Sequence, residues 1–387
     1  MALVDVLLLV DNKMRDGLNV GLVAERLKAS GVSTWVCNKR NVIQFHKLLK
    51  PKVIVLSYTK GKWISDHIPE ISKISKIVVL PQEGAIPERD KGGIEGYRGE
   101  LSQYVHKYLL WGQKTKELIE KSSDVDIPPE KMVVTSTTKL DPYWMKISQE
   151  KIPIEASGVR NTQRIGFALT GTYFLNNYQK PGMLDVIMTR RGRNKCGYRN
   201  SRYYEFSRGR DIEDHLWVVS AIMRAAFDIM DLLIERGWHV SIRPGMFEDF
   251  HMYRKLFPDK KKVSISTGEY LHEWLSGLDI LMCGHTSVGI DSILASVPVI
   301  YWYDLLDTDR LFEHCELPNL TKSFFSELYW RPKTHDEIIE KIEEGLKGDL
   351  LPTPEPERYL TYLKDYYDVP RSEVPSVSIA REITELL

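Results

Sequence analysis

What most constrains this chain is the recurrence of short apolar runs, each closed by a turn and followed by residues at helical spacing. "VDVLLLV", residues 4–10, is almost continuously apolar, as a strand is when helices cover both faces of a parallel sheet. "GLNVGLVAERLKASG" then sets apolar residues at helical intervals and ends on Gly31, a helix stop. The runs "VSTWVCN", "KVIVLSY", "KIVVLPQ", "HKYLLWG" and "KMVVTS" repeat the strand signal, with helical stretches such as "VIQFHKLLK" and "KWISDHIPEISKI" between them. Strand and helix in alternation predict an open, doubly wound parallel sheet.

Near residues 145–162 the rhythm lapses into the polar "KISQEKIPIEASGVRNTQ", where a domain boundary is expected. A second series starts at "RIGFALTGT", passes through the long helical "HLWVVSAIMRAAFDIMDLLIERG", and continues with "HVSIRPG", "VSIST", "DILMCG" and "PVIYW". The expected domains are 1–150 and 160–350, each Rossmann-like, with a helical C-terminal tail over 351–387. A chain of 387 residues has room for two such cores. Two Rossmann-like α/β domains in tandem suggest the GT-B arrangement, whose cleft lies between the domains, outside the carboxyl ends of both parallel sheets.

Lys+Arg and Asp+Glu are each 53, so the whole-molecule field steers no nucleic acid toward the chain, and no nucleic-acid partner is expected. The four Cys form no CxxC pair, which argues against a zinc or disulfide framework and for a reducing cytoplasm. "MALVDVLLLVDNK" lacks a basic lead and a cleavage site and is too short to span a bilayer. The expected location is cytoplasmic, with peripheral contact at the inner membrane as the closest approach to lipid.

Three turns after strands carry candidate chemistry. In "CGHTSVGIDSILASVPVIYW" a strand gives way to His285, Thr286 and Ser287 and then to a helix holding Asp291. Backbone N–H groups at such a turn favour an anion, the hydroxyls can donate to a phosphate, and Asp291 can accept from ribose hydroxyls. The plain alternative is an ordinary N-capped helix. In "HVSIRPGMFED" a strand ends at Arg243, Pro244 and Gly245; the guanidinium fork suits phosphate, and Gly245 permits close backbone approach. In "KIVVLPQEG" a strand runs into Gln82 and Glu83, where a carboxylate can act as general base or as nucleophile, or can simply lie in a surface loop.

Taken in order, "LPQEG", "GYRGE", "YLLWGQ" and "VVTSTTKLD" resemble the bacterial surface carbohydrate biosynthesis proteins. "IRPGMFED" and "HTSVGIDSILASVPVIYW" look like the carboxyl-terminal halves of capsule polysaccharide synthases, CDP-glycerol glycerophosphotransferases and retaining Kdo transferases. The similarity runs over most of residues 1–305. Arg243-Pro244 stands where related enzymes often have His-Pro, and Thr135-Ser136 where the family has Thr-Gly. The resemblance implies a GT-B transferase with a nucleotide-activated donor, such as a CMP-linked ulosonic acid like Kdo, serving capsule or lipopolysaccharide synthesis. It implies Glu83 as the catalytic carboxylate, with Arg243, Pro244, Gly245, His285, Thr286, Ser287 and Asp291 at the donor. Gln82 and Asp141 would shape the cleft and the acceptor side.

No metal and no resident cofactor are expected; "DVD" at 124–126 and "DTD" at 307–309 are triplets that chance supplies at this acidic content. The basic, aromatic segment 189–211 suits an anionic glycan, a lipid-linked acceptor, the donor carboxylate or an anionic membrane, with Arg199 and Arg202 as candidate contacts. It also suits a solvated loop. The leading reading is a glycosyltransferase joining a nucleotide-activated sugar to a glycan or lipid-linked acceptor. A glycerophosphotransferase, a sugar-nucleotide epimerase and a non-catalytic glycan or nucleic-acid binding module are the alternatives.

Overall fold

The computed structural model describes residues 3–59, 62–82, 99–122, 125–148, 163–169, 210–245, 250–257, 261–284, 286–306 and 324–387. The chain divides into two compact units, Met1–Ile152 with Glu357–Leu387, and Pro153–Pro356.

In the first unit, β1 (Val6–Val10), β2 (Thr34–Asn38), β3 (Val53–Leu56), β4 (Lys76–Val79), β5 (Val105–Leu110) and β6 (Met132–Val134) form a parallel sheet in the order β2-β1-β3-β4-β5-β6. Strand alternation splits each apolar run between two cores. Leu7, Leu9, Ile54, Leu56, Ile77 and Val79 point into one, and Val6, Leu8, Val53, Val55 and Val78 into the other. That is why the runs of β1, β3 and β4 are unbroken: both of their faces are dry, whereas the edge strand β2 buries only Cys37. Helix α1 (Lys13–Ala29) covers the second core with Val20, Val23 and Leu27. Helix α2 (Val42–Leu49) closes the first core through Val42. The "KWISDHIPEISKI" stretch is two short helices, Lys62–Ser65 and Ile68–Ser72, because Pro69 opens the second. Helix α3 (Gln113–Glu120) links β5 to β6.

The second unit holds β7 (Arg164–Ala168), β8 (His239–Arg243), β9 (Val263–Ile265), β10 (Ile280–Cys283) and β11 (Val299–Tyr301), all parallel, in the order β11-β10-β7-β8-β9. Helix α4 (Arg210–Glu235) joins β7's side of the chain to β8 and buries Ile222, Ala226, Ile229, Met230 and Leu233, a stripe at helical spacing. Helices α5 (Leu271–Ser276), α6 (Val288–Leu294) and α7 (His335–Leu346) follow.

Two further helices, α8 (Pro356–Tyr367) and α9 (Pro375–Thr384), end the chain. They are not a separate tail. Ile379, Ala380 and Ile383 of α9 complete the core beneath α1, and Lys107 of β5 pairs with Glu382 and Glu385 at 2.7 and 2.8 Å. The C-terminal segment is therefore structural material of the first unit. Among the described residues no helix is long and apolar enough to cross a membrane.

Candidate functional site

A doubly wound sheet offers a ligand crevice where the chain reverses its direction of strand addition, at the carboxyl ends of the two strands flanking that point. In the second unit the chain adds β8 and β9 on one side of β7 and then β10 and β11 on the other. The switch point lies between β7 and β10. The parallel register brings Arg243, Ala168, Cys283 and Tyr301 level across β8, β7, β10 and β11. The turn "GHTSVG" leaves β10 at this point, and Arg243 closes β8 one strand away.

Ala168, Cys283 and Tyr301 are buried, and burial pushes the Cys283 thiol and the Tyr301 phenol well above their ordinary pKa values. They are packing groups, not nucleophiles. Arg243 differs. Its Nη1 donates to Ser266 Oγ at 3.0 Å and to the Glu269 carbonyl at 3.2 Å, and its guanidinium lies 5.6 Å from the centre of the Trp274 ring. Trp274 is itself pinned, its Nε1 donating to Ser241 Oγ at 2.9 Å. Burial lowers the Arg243 pKa, opposed by the negative fields of Glu269 and Asp291. Among the described residues, Nε and Nη2 donate to no partner. A half-buried guanidinium is thus held rigidly by one nitrogen, with the N–H donors of the other two unspent.

The turn after β10 is held by aromatic rings. A Cβ on Gly284 would stand 2.0 Å from the Tyr303 ring, and one on Gly289 2.3 Å from the Tyr329 ring. Tyr329 donates its hydroxyl to the Thr286 carbonyl at 3.3 Å. One residue ahead of the cap of α6, Thr286 Oγ1 accepts from the Val288 N–H at 3.3 Å. Ser287, at the cap position, makes no such bond, so its hydroxyl is spare among the described residues. Asp291, a turn into α6, is buried. The turn therefore braces the helix start and keeps a donor to spare: Thr286 serves the helix, Ser287 does not. Pro244 and Gly245 follow β8 as expected for a strand-to-loop turn.

Trp274, Ser266, Tyr303 and Tyr329 were not predicted as site residues. Trp274 in "LHEWLSG" reads as a core aromatic, and only the fold reveals that it carries Arg243.

The first unit spends its motif residues differently. Trp111 donates Nε1 to the Pro81 carbonyl at 2.9 Å and packs 5.5 Å from the Tyr367 ring. Ser136 donates its hydroxyl to the Tyr367 carbonyl. Asp141, expected to shape the cleft, accepts the Ser376 N–H at 3.3 Å in the first turn of α9. Its other carboxylate oxygen is buried without a partner among the described residues, and burial raises its pKa despite the bond from Ser376 and the nearby Arg26. That is a helix-capping role within the first unit. Gln82 is buried beyond β4, its amide donating to the Leu80 carbonyl at 3.4 Å. Glu83, His285, Arg199 and Arg202 lie outside the described residues, as does Asp124 of the first acidic triplet and the whole of the second. Among the described residues no group of three His, Cys, Asp or Glu is placed to hold a metal.

No family model and no curated protein matches the chain. Solved structures do. The wall teichoic acid polymerase TagF aligns with a TM-score of 0.57 at 9% identity, over 98% of this chain and 88% of that one. A variant of that polymerase soaked with CDPG gives a TM-score of 0.55 at 8% identity, over the same 98% and 88%. The UDP-GlcNAc 2-epimerase of Methanocaldococcus jannaschii, in complex with UDP-GlcNAc and UDP, gives 0.51 at 11% identity, over 98% of this chain and 99% of that one. These likenesses show the fold, which is GT-B: parallel sheets of six and five strands with a helical C-terminal region.

Proposed function

We propose that this chain is a GT-B transferase whose second unit binds the nucleotide end of an activated donor at the β7–β10 switch point. The observation that carries the reading is Arg243: held to Ser266 and the Glu269 carbonyl by one nitrogen, over the Trp274 ring, with its other two nitrogens uncommitted among the described residues. A half-buried guanidinium with spare donors at a strand tip fits a phosphate oxygen, and Ser287 supplies a hydroxyl donor from the other side of β7. Asp291 is the candidate acceptor for ribose hydroxyls. The transferred group is a sugar, with a CMP-linked ulosonic acid as the donor that the motif resemblance favours, or a glycerol phosphate. The acceptor is a cell-surface glycan or its lipid-linked precursor, and Glu83 is the proposed catalytic carboxylate. Arg243 and backbone N–H groups offset the phosphate charge, so activity is expected to survive chelation of divalent metals.

The test is calorimetry with CMP, CDP, UDP and GDP on wild type, Arg243→Ala and Ser287→Ala. One nucleotide should bind, and Arg243→Ala should weaken it by about tenfold or more, the loss of a charge-assisted bond worth about 1.5–3 kcal/mol. Indifference to all four nucleotides, or unchanged affinity in Arg243→Ala, sinks the reading. Glu83→Gln should abolish transfer while nucleotide affinity stays within a few-fold.

A further inference from the structure

The chain balances its charges overall, yet between Glu25 and Asp66 it contains no acidic residue while Lys and Arg recur. This stretch supplies the outer edge of the first unit, strand β2 and helix α2, and large apolar side chains are exposed there. Trp35 is 45% exposed on β2, Leu48 62% on α2 and Leu3 64% beside them. They form one patch. The Trp35 ring lies 5.8 Å from that of Phe45, Phe45 and Leu48 are three residues apart on α2, and the Leu3 N–H donates to the Leu49 carbonyl at 2.9 Å. Around the patch, Arg40, Lys47 and Lys50 are exposed and have no anionic partner among the described residues, whereas Lys39 and Lys52 pair with Asp11 and Asp5 at 2.7 and 2.8 Å.

We propose that this edge docks on an anionic lipid bilayer, independently of the donor-site reading. An indole and two leucines give up exposed apolar area to the interfacial region, where Trp is favoured, and unpaired cations sit beside them to meet anionic headgroups. Each half of the feature calls for the other half of a membrane surface. A second copy docking through the open edge of β2 would bring the same cations against each other across the two-fold axis. A nucleic-acid strand would use the cations but leave Leu3 and Leu48 without a role.

Co-sedimentation of the full chain with vesicles tests this. Binding is expected to vesicles of phosphatidylcholine mixed with phosphatidylglycerol, and at least about tenfold weaker binding to phosphatidylcholine alone. Lys47→Glu with Lys50→Glu should lower partition into the mixed vesicles by about tenfold or more, and so should Trp35→Ser with Leu48→Ser; all four side chains are exposed, so folding is not at stake. No binding to mixed vesicles at low salt overturns the proposal. So does binding that both double variants retain, which would place lipid contact on another surface. A dimer in sedimentation velocity that Trp35→Ser dissolves would assign the edge to a second copy. Single-stranded oligonucleotide binding that Lys47→Glu with Lys50→Glu abolishes and Trp35→Ser leaves intact would assign it to nucleic acid.

Discussion

The two units share an architecture and use the turns beyond their strands for opposite ends. In the first, the motif positions after β5 and β6 serve the chain itself: Trp111, Gly112 and Ser136 engage Asp365, Tyr366 and Tyr367 at the end of α8, and Asp141 engages Ser376 at the start of α9. In the second, Arg243 and Ser287 stand at strand tips with donors that no described residue consumes. A polar residue in a post-strand turn thus carries no functional meaning by type alone. What separates the two cases is whether the neighbouring chain satisfies it.

The largest effect expected of that difference is at Gly112. A Cβ there would stand 2.4 Å from the Tyr366 carbonyl carbon and 2.5 Å from the Asp365 oxygen, backbone atoms that cannot swing aside. Gly112→Ala should cost the first unit about 3 kcal/mol or more, read as a lowered calorimetric transition, with nucleotide affinity unchanged once the protein is folded. A fall in affinity equal to that of Arg243→Ala would break the division between an anchoring unit and a binding unit. Ser136 comes next. It sits at φ +64°, the left-handed region, with its hydroxyl on the Tyr367 carbonyl. Ser136→Ala keeps the unfavourable backbone and loses the bond, for about 1–2 kcal/mol. Ser136→Gly loses the bond but relieves the backbone, and should cost about 1 kcal/mol less. Equal losses would mean that the backbone there is unstrained.

Ser136 also shows what the sequence could and could not convey. Its departure from the Thr-Gly pattern was visible; that serine adopts glycine's conformation and offsets the cost with a hydroxyl bond to a residue 231 positions away was not. The inner strands of the first sheet were legible because both of their faces are dry, which leaves a continuous apolar run as a local signal. The docking of α9 was illegible for the converse reason. Ile379, Ala380 and Ile383 announce an amphipathic helix, but which core receives its apolar face is a long-range fact. At the candidate site, Arg243 and the 284–291 turn could be picked out by residue type and position after a strand. Trp274 beneath Arg243, and the tyrosines that impose glycine at 284 and 289, came only with the fold.

Arg243→Lys sharpens the comparison from the other side. Lysine keeps the charge and loses the fork, so it cannot hold Ser266 and the Glu269 carbonyl while offering two donors outward. Nucleotide affinity should fall about tenfold, roughly 1.4 kcal/mol, with little change in either calorimetric transition. A drop in stability without a drop in affinity would make Arg243 an anchor like Asp141 and erase the contrast.

The smallest effect expected is at Asp141, and it lies in pH dependence. Burial holds this carboxyl above the ordinary carboxylate range, against the lowering influence of the Ser376 N–H and Arg26. The native state therefore grips the proton more tightly than the unfolded chain does. Its contribution to stability is fully present below the unfolded pKa of about 3.9 and is lost as pH rises through the folded value. Asparagine keeps an acceptor for Ser376 and has no charge to bury. Asp141→Asn should thus gain on wild type as pH is raised from about 4 to neutrality, by about 1 kcal/mol or less, in urea titrations at a series of pH values. If the two proteins instead keep parallel stability–pH curves, the Asp141 carboxyl is not held up by burial, and capping α9 is not what fixes its state. If the variant loses transfer activity while its stability is untouched, Asp141 belongs with Arg243 among the residues that serve a ligand.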